Sequence, residues 1–116
     1  MRNIFISLCL LLMLSGFSLA QDEELTPYEI ALERIEEAKM IGATDLDLSQ
    51  LTLAEVPPEV GGLTNLQTLN LSYNNLESLP PEIGNLSNLQ TLEARVNWLL
   101  ELPPEIGNLV NLQKLL

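Results

Sequence analysis

The sequence predicts an α/β solenoid. Its parts are a short curved parallel sheet on the concave face, an irregular or 3-10 convex side, and a capping helix at the N-terminal end. Three observations predict it. Residues 63–85 (LTNLQTLNLSYNNLESLPPEIGN) and 86–108 (LSNLQTLEARVNWLLELPPEIGN) are identical at fifteen of 23 positions. A looser copy lies at 43–62, where Leu46, Leu48, Leu53, Val56 and Val60 fall on Leu69, Leu71, Leu76, Leu79 and Ile83. A stretch with helical spacing and its own start and stop signals comes before that copy. A fixed period of roughly 20–50 residues marks one-sided units that must stack to bury their apolar faces.

The elements follow in chain order. Residues 1–20 are expected to be a secretory signal peptide. Arg2 supplies a positive start, residues 4–14 are apolar except for Ser7, and Ser18-Leu19-Ala20 places small residues before a cut between Ala20 and Gln21. Asp22-Glu23-Glu24 follows, with no basic stop-transfer signal. Cys9 lies inside the apolar run after Leu8, which does not suit lipidation. The expected location is therefore periplasmic, cell-surface or secreted, and no stable membrane insertion of the mature chain is expected.

Charge narrows the function classes. The chain has 5 Lys+Arg against 16 Asp+Glu, no His and a single Cys. The leader contains Arg2 and Cys9 and no acid, so the mature chain has four bases, 16 acids and no thiol. A basic nucleic-acid footprint is excluded, because phosphate binding needs clustered Lys and Arg. Anionic lipid is disfavoured for the same reason. Disulfides, Cys/His zinc sites, thiol catalysis and His-based triads are excluded as well.

Residues 21–25 are read as an acidic disordered lead, and 26–42 as the capping helix. Thr26 and Glu29 form a capping box around Pro27, which suits the first helical position. Tyr28, Ala31, Leu32, Ile35 and Ala38 make one apolar stripe, and Gly42 is the stop. Charged residues cover the other faces, so the helix is expected to pack on the first coil.

The repeats occupy 43–116, as units 43–62, 63–85, 86–108 and a partial 109–116. In each, alternate leucines such as Leu69 and Leu71 point one way from a short strand. Pro80-Pro81 cannot donate to a ladder and ends the extended stretch. Ile83 then faces inward from a short turn. A fully buried Leu contributes about 1.5–3 kcal/mol, so the stack is favourable where a lone unit is not. Asn74 and Asn97 sit where the chain leaves the strand, and their amides are expected to pair with backbone groups of adjacent coils. Leu51 holds the equivalent place in the first unit, where an apolar residue can pack on the helix. Ala94 replaces Leu71, and Leu100 replaces Glu77 at a position expected to be exposed.

The pattern L-x-x-L-x-L-x-x-N-x-L, carried by Leu66, Leu69, Leu71, Asn74 and Leu76 and again by Leu89, Leu92, Asn97 and Leu99, resembles the leucine-rich repeat family. The L-P-P-E-I-G-N that follows resembles the 23-residue type of bacterial proteins and of the plant intracellular Ras-group relatives. Residues 34–60 look like the unit that opens such arrays in several bacterial and Roc-GTPase-associated proteins. The resemblance implies the solenoid and a non-enzymatic role in protein or glycan binding, and it leaves the ligand open. The leader with cysteine-free caps fits a bacterial exported protein.

Strand residues facing away from the leucines form the candidate binding surface. They are Asp45, Asp47, Ser49 and Gln50; Thr68, Asn70, Ser72 and Tyr73; and Thr91, Glu93, Arg95 and Val96. Tyr73 and Arg95 are the favoured anchors, since Tyr and Arg are enriched among energetic hot spots. Trp98 is a candidate at the rim, or else packs beneath the next coil. The carboxylates of Asp45, Asp47 and Glu93 invite calcium binding or glycoside hydrolysis, but no loop, cage or clamp accompanies them. No metal, cofactor or catalytic residue is assigned. Two glycosylation sequons, at Asn70 and Asn85, arise from repeat residues and are read as coincidental.

Leu109, Leu112, Leu115 and Leu116 begin a further unit, in which Leu115 should face the core. Three readings stay open: a fragment of a longer repeat protein, self-association through an uncapped end, or a frayed end. The alternative function is thus a structural cap module that associates with itself and has no separate ligand.

Overall fold

The computed structural model describes residues 24–116. The signal peptide, its cut site and residues 21–23 of the lead lie outside the described residues. Helix α1 spans Pro27–Ile41, and a strand and a 3-10 turn then alternate. These are β1 (Asp45–Asp47), η1 (Pro58–Gly62), β2 (Thr68–Asn70), η2 (Pro81–Asn85), β3 (Thr91–Glu93), η3 (Pro104–Asn108) and β4 (Lys114–Leu115). The strands form one parallel sheet in chain order. Its register follows the 23-residue period: Asp45 pairs with Thr68, Thr68 with Thr91, and Thr91 with Lys114. The structure is the α/β solenoid that the repeat spacing predicts.

Local signals place α1. The Thr26 hydroxyl accepts the Glu29 N–H at 3.1 Å and meets the Glu29 carboxylate at 3.2 Å. Gly42 ends the helix in the left-handed region at φ 64°, where a side chain is strained. The Ala43 N–H returns to the Ala38 carbonyl at 2.9 Å, closing a Schellman-type stop. Ala31, Leu32, Ile35 and Ala38 are buried, and the first, third and fourth join the core of the repeats. Tyr28 is only half-buried, at the lip of a groove with Thr52, Ala54 and Glu55. Burial, then Glu59 and Glu55, push its phenol pKa up.

The core is a column of leucines between sheet and turns. Leu46, Leu69 and Leu92 stack from β1, β2 and β3, and Val60 and Ile83 close the far side from η1 and η2. A Cβ on Gly61 would approach the Glu82 carbonyl oxygen to 2.7 Å, and one on Gly84 the Glu105 carbonyl oxygen to 2.8 Å. Glycine therefore sets how closely successive turns stack. Leu51 is half-buried against this core. Leu115 pairs with Leu92 in register, as its place in the repeat predicts, and is exposed.

Candidate binding surface

Six of the twelve nominated positions sit on the strands. Asp45 and Asp47 are exposed, while Thr68, Asn70, Thr91 and Glu93 are half-exposed on the same face, with buried Leu46, Leu69 and Leu92 between them. Parallel register brings 45, 68 and 91 into one row and 47, 70 and 93 into another. The second row also closes the strand exits. Asp47 Oδ1 accepts the Ser49 N–H at 2.9 Å and the Ser49 hydroxyl at 2.6 Å. Asn70 Oδ1 accepts the Ser72 N–H at 3.0 Å. The Ser49 bonds hold the Asp47 carboxyl below its usual pKa, and the Arg34 charge adds to them. Arg34 itself donates to the Asp47 carbonyl at 2.9 Å, so α1 is tied to the edge strand of the sheet.

Ser72 departs from its nomination as a contact residue. It is only 3% exposed, and its hydroxyl accepts the Arg95 N–H at 3.1 Å. The next coil covers it, so its side chain serves the stack and is not offered to a partner. Arg95 itself is exposed.

Gln50, Tyr73 and Val96 share one repeat position and one unusual conformation. Their φ angles are 57°, 59° and 55°, in the left-handed region. The Gln50 N–H bonds the Ser72 carbonyl at 3.1 Å, and the Tyr73 N–H bonds the Arg95 carbonyl at 2.8 Å. The turn off the strand thus keeps pairing with the following coil. Outward rotation at this position leaves Tyr73 55% and Val96 64% exposed. Trp98 is 69% exposed. Tyr73, Asn75, Val96 and Trp98, with the two ladder asparagines at the base, line an open cleft of about 520 Å³.

Asn74 and Asn97 run beneath that cleft. Asn74 Nδ2 donates to the Leu48 and Leu71 carbonyls at 2.9 Å each, and its Oδ1 accepts the Leu51 and Leu53 N–H groups at 3.0 Å. Asn97 Nδ2 donates to the same Leu71 carbonyl at 2.9 Å and to the Ala94 carbonyl at 3.2 Å, while its Oδ1 accepts the Leu76 N–H at 3.0 Å. Each side chain reaches back to the coil before it. Leu51 has only α1 before it, so no earlier coil presents backbone groups for an asparagine there to meet.

A second column was missed in the sequence. Asn88 Nδ2 donates to the Thr64 carbonyl and Asn111 Nδ2 to the Ser87 carbonyl, both at 2.7 Å. The signal was the recurring N-L-Q at 65, 88 and 111. These asparagines are exposed.

A sequence profile described as a leucine-rich repeat region matches residues 39–116. The chain belongs to the leucine-rich repeat family. Among solved structures it is similar to a leucine-rich repeat protein from Leptospira interrogans, with 40% identity and a TM-score of 0.56. That match covers 61% of this chain and 24% of the other, so the chain spans about a quarter of the neighbour's length. No curated protein matches it. Proteins built of leucine-rich repeats suggest an interaction module, and their stacked strands present an extended concave face. Among the described residues, no helix is long and apolar enough to cross a membrane.

Proposed function

We propose that this leucine-rich repeat chain is an exported, non-enzymatic module that binds a protein partner through its strand face and the aromatic cleft beside it. One observation carries the reading. The half-exposed and exposed rows of β1 to β3 lie in register next to a cleft that holds two exposed aromatic rings. Exposed Tyr and Trp offer large contact area at a small entropic cost, and they dominate many interfaces. The same rings favour a glycan as the second reading.

The test compares the immobilised protein with Tyr73→Ala and Arg95→Ala in capturing material from an envelope extract of the source cells. Both variants should lose at least tenfold of a specific protein while their urea unfolding midpoints hold. Identical captures by all three would sink the reading, and retention of carbohydrate alone would select the glycan. A structural module that only associates with itself predicts a mass that rises with concentration in sedimentation and no specific capture. Export has its own test: an intact mass matching residues 21–116 outside the cytoplasm supports it, and an unprocessed cytoplasmic chain overturns it.

A further inference from the structure

The outer face changes character along the stack. Where the chain leaves the strand, the first unit presents Gln50, Thr52 and Ala54, and the second presents Tyr73, Asn75 and Glu77. The third presents Val96, Trp98 and Leu100, which are 64%, 69% and 84% exposed. Stacking does not hide this register. Tyr73, Asn75 and Glu77 have the third unit packed against them, through bonds such as Trp98 N–H to the Leu76 carbonyl, and remain exposed. The side chains of the row therefore point out of the solenoid, and a neighbouring coil does not account for their apolar character. Apolar residues scattered singly are ordinary on a surface, whereas a contiguous group beside an aromatic cleft marks an interaction site.

Charge selects the occupant. The chain has 16 acids against 5 bases. Glu77 adjoins the row, because its carbonyl accepts the Leu100 N–H at 3.1 Å, and the exposed Glu101 follows it. Arg95 is the one base next to the row in sequence. Exposed indole and phenol faces attract Lys and Arg heads. A net negative field draws cationic segments and repels acidic ones.

We propose that the row Val96–Trp98–Leu100, with Tyr73, receives a cationic segment of the partner protein that also carries apolar side chains. Val96 and Leu100 take the apolar groups. The rings of Tyr73 and Trp98 face the Lys or Arg heads, and Glu77 and Glu101 supply the opposite charge. This inference rests on the protein-binding reading above and names the chemistry of the partner.

Trp98 is the only tryptophan, so its emission reports on this site alone. The probe is a short capped peptide alternating Lys and Leu, titrated into the purified protein. Controls replace every Lys with Glu, or every Leu with Ser. The Lys/Leu peptide should give a saturable blue shift, with both controls at least tenfold weaker. Leu100→Ser and Val96→Asn should each weaken it at least tenfold, while Glu59→Gln, on η1 away from the row, leaves it unchanged. Asparagine tolerates the left-handed conformation at 96, and unfolding midpoints check that both variants fold. No saturable shift, an equal shift with the Glu/Leu peptide, or full binding by both polar variants overturns the proposal. If Tyr73→Ala loses its captured protein while the Lys/Leu peptide fails, protein binding stands and the cationic segment falls.

Discussion

The second and third units share fifteen of 23 residues and differ in eight. Seven of those eight differences fall in 70–78 against 93–101, where the chain leaves the strand and crosses to the turn. The identical positions include most leucines of the core, the asparagine of the ladder, Thr68 and Thr91 on the strand face, and the Pro-Pro-Glu-Ile-Gly-Asn turn. The differing ones set what the surface offers. In the second unit, Tyr73, Asn75 and Glu77 are exposed with the third unit packed beside them. In the third, the same places hold the apolar side chains of Val96, Trp98 and Leu100. Repetition thus supplies the scaffold, and the departures from repetition mark where a partner could be read.

The largest expected effect comes from giving the second unit the third unit's core residue. Leu71→Ala should cost about 2–5 kcal/mol by urea unfolding, as a buried leucine leaving a cavity does. A cost near zero would mean that the two units tolerate the same packing. The asparagines come next. Asn74→Ala strands the Leu51 and Leu53 N–H groups and the Leu48 carbonyl, and should cost about 3 kcal/mol. Asn97→Ala loses fewer bonds at a more exposed place and should cost about 1–2 kcal/mol. Equal losses would break the contrast between the units.

Val96→Asn should act in the opposite direction. A β-branched residue at φ 55° is strained, and asparagine accepts that conformation, so a gain of about 0.5–1 kcal/mol is expected in the same unfolding assay. The smallest effect concerns pH. Asp47 has a folded pKa below its unfolded one, so its contribution is present above the ordinary carboxylate range and is lost as pH falls through the lowered value. Asp47→Asn, which imitates Asn70 one coil along, should flatten that acid limb slightly. An unchanged pH profile in the variant would show that the Ser49 bonds do not favour the charged form.

The sequence was most legible where one residue type answers one physical demand. Period-23 leucines imply the core because nothing else buries a one-sided coil, and Thr26 and Gly42 mark the ends of α1 because few residues satisfy free N–H groups or a left-handed stop. The left-handed column was not legible, since Gln50, Tyr73 and Val96 share no composition that advertises it. Ser72 looked like a surface residue because its alternation places it with Asp47 and Asn70. Only the fold shows that the backbone of Arg95 closes over it. The outer row of the third unit was half visible: Leu100 stood out against Glu77, but its continuity with Val96 and Trp98 needed the turn geometry.

The backward reach of Asn74 and Asn97 gives the stack a polarity. A coil's exit turn has its backbone groups paired by the asparagine of the coil that follows, so each unit is finished by its successor. Shortening the chain from its distal end therefore does more than remove residues, because it unlocks the last coil that remains.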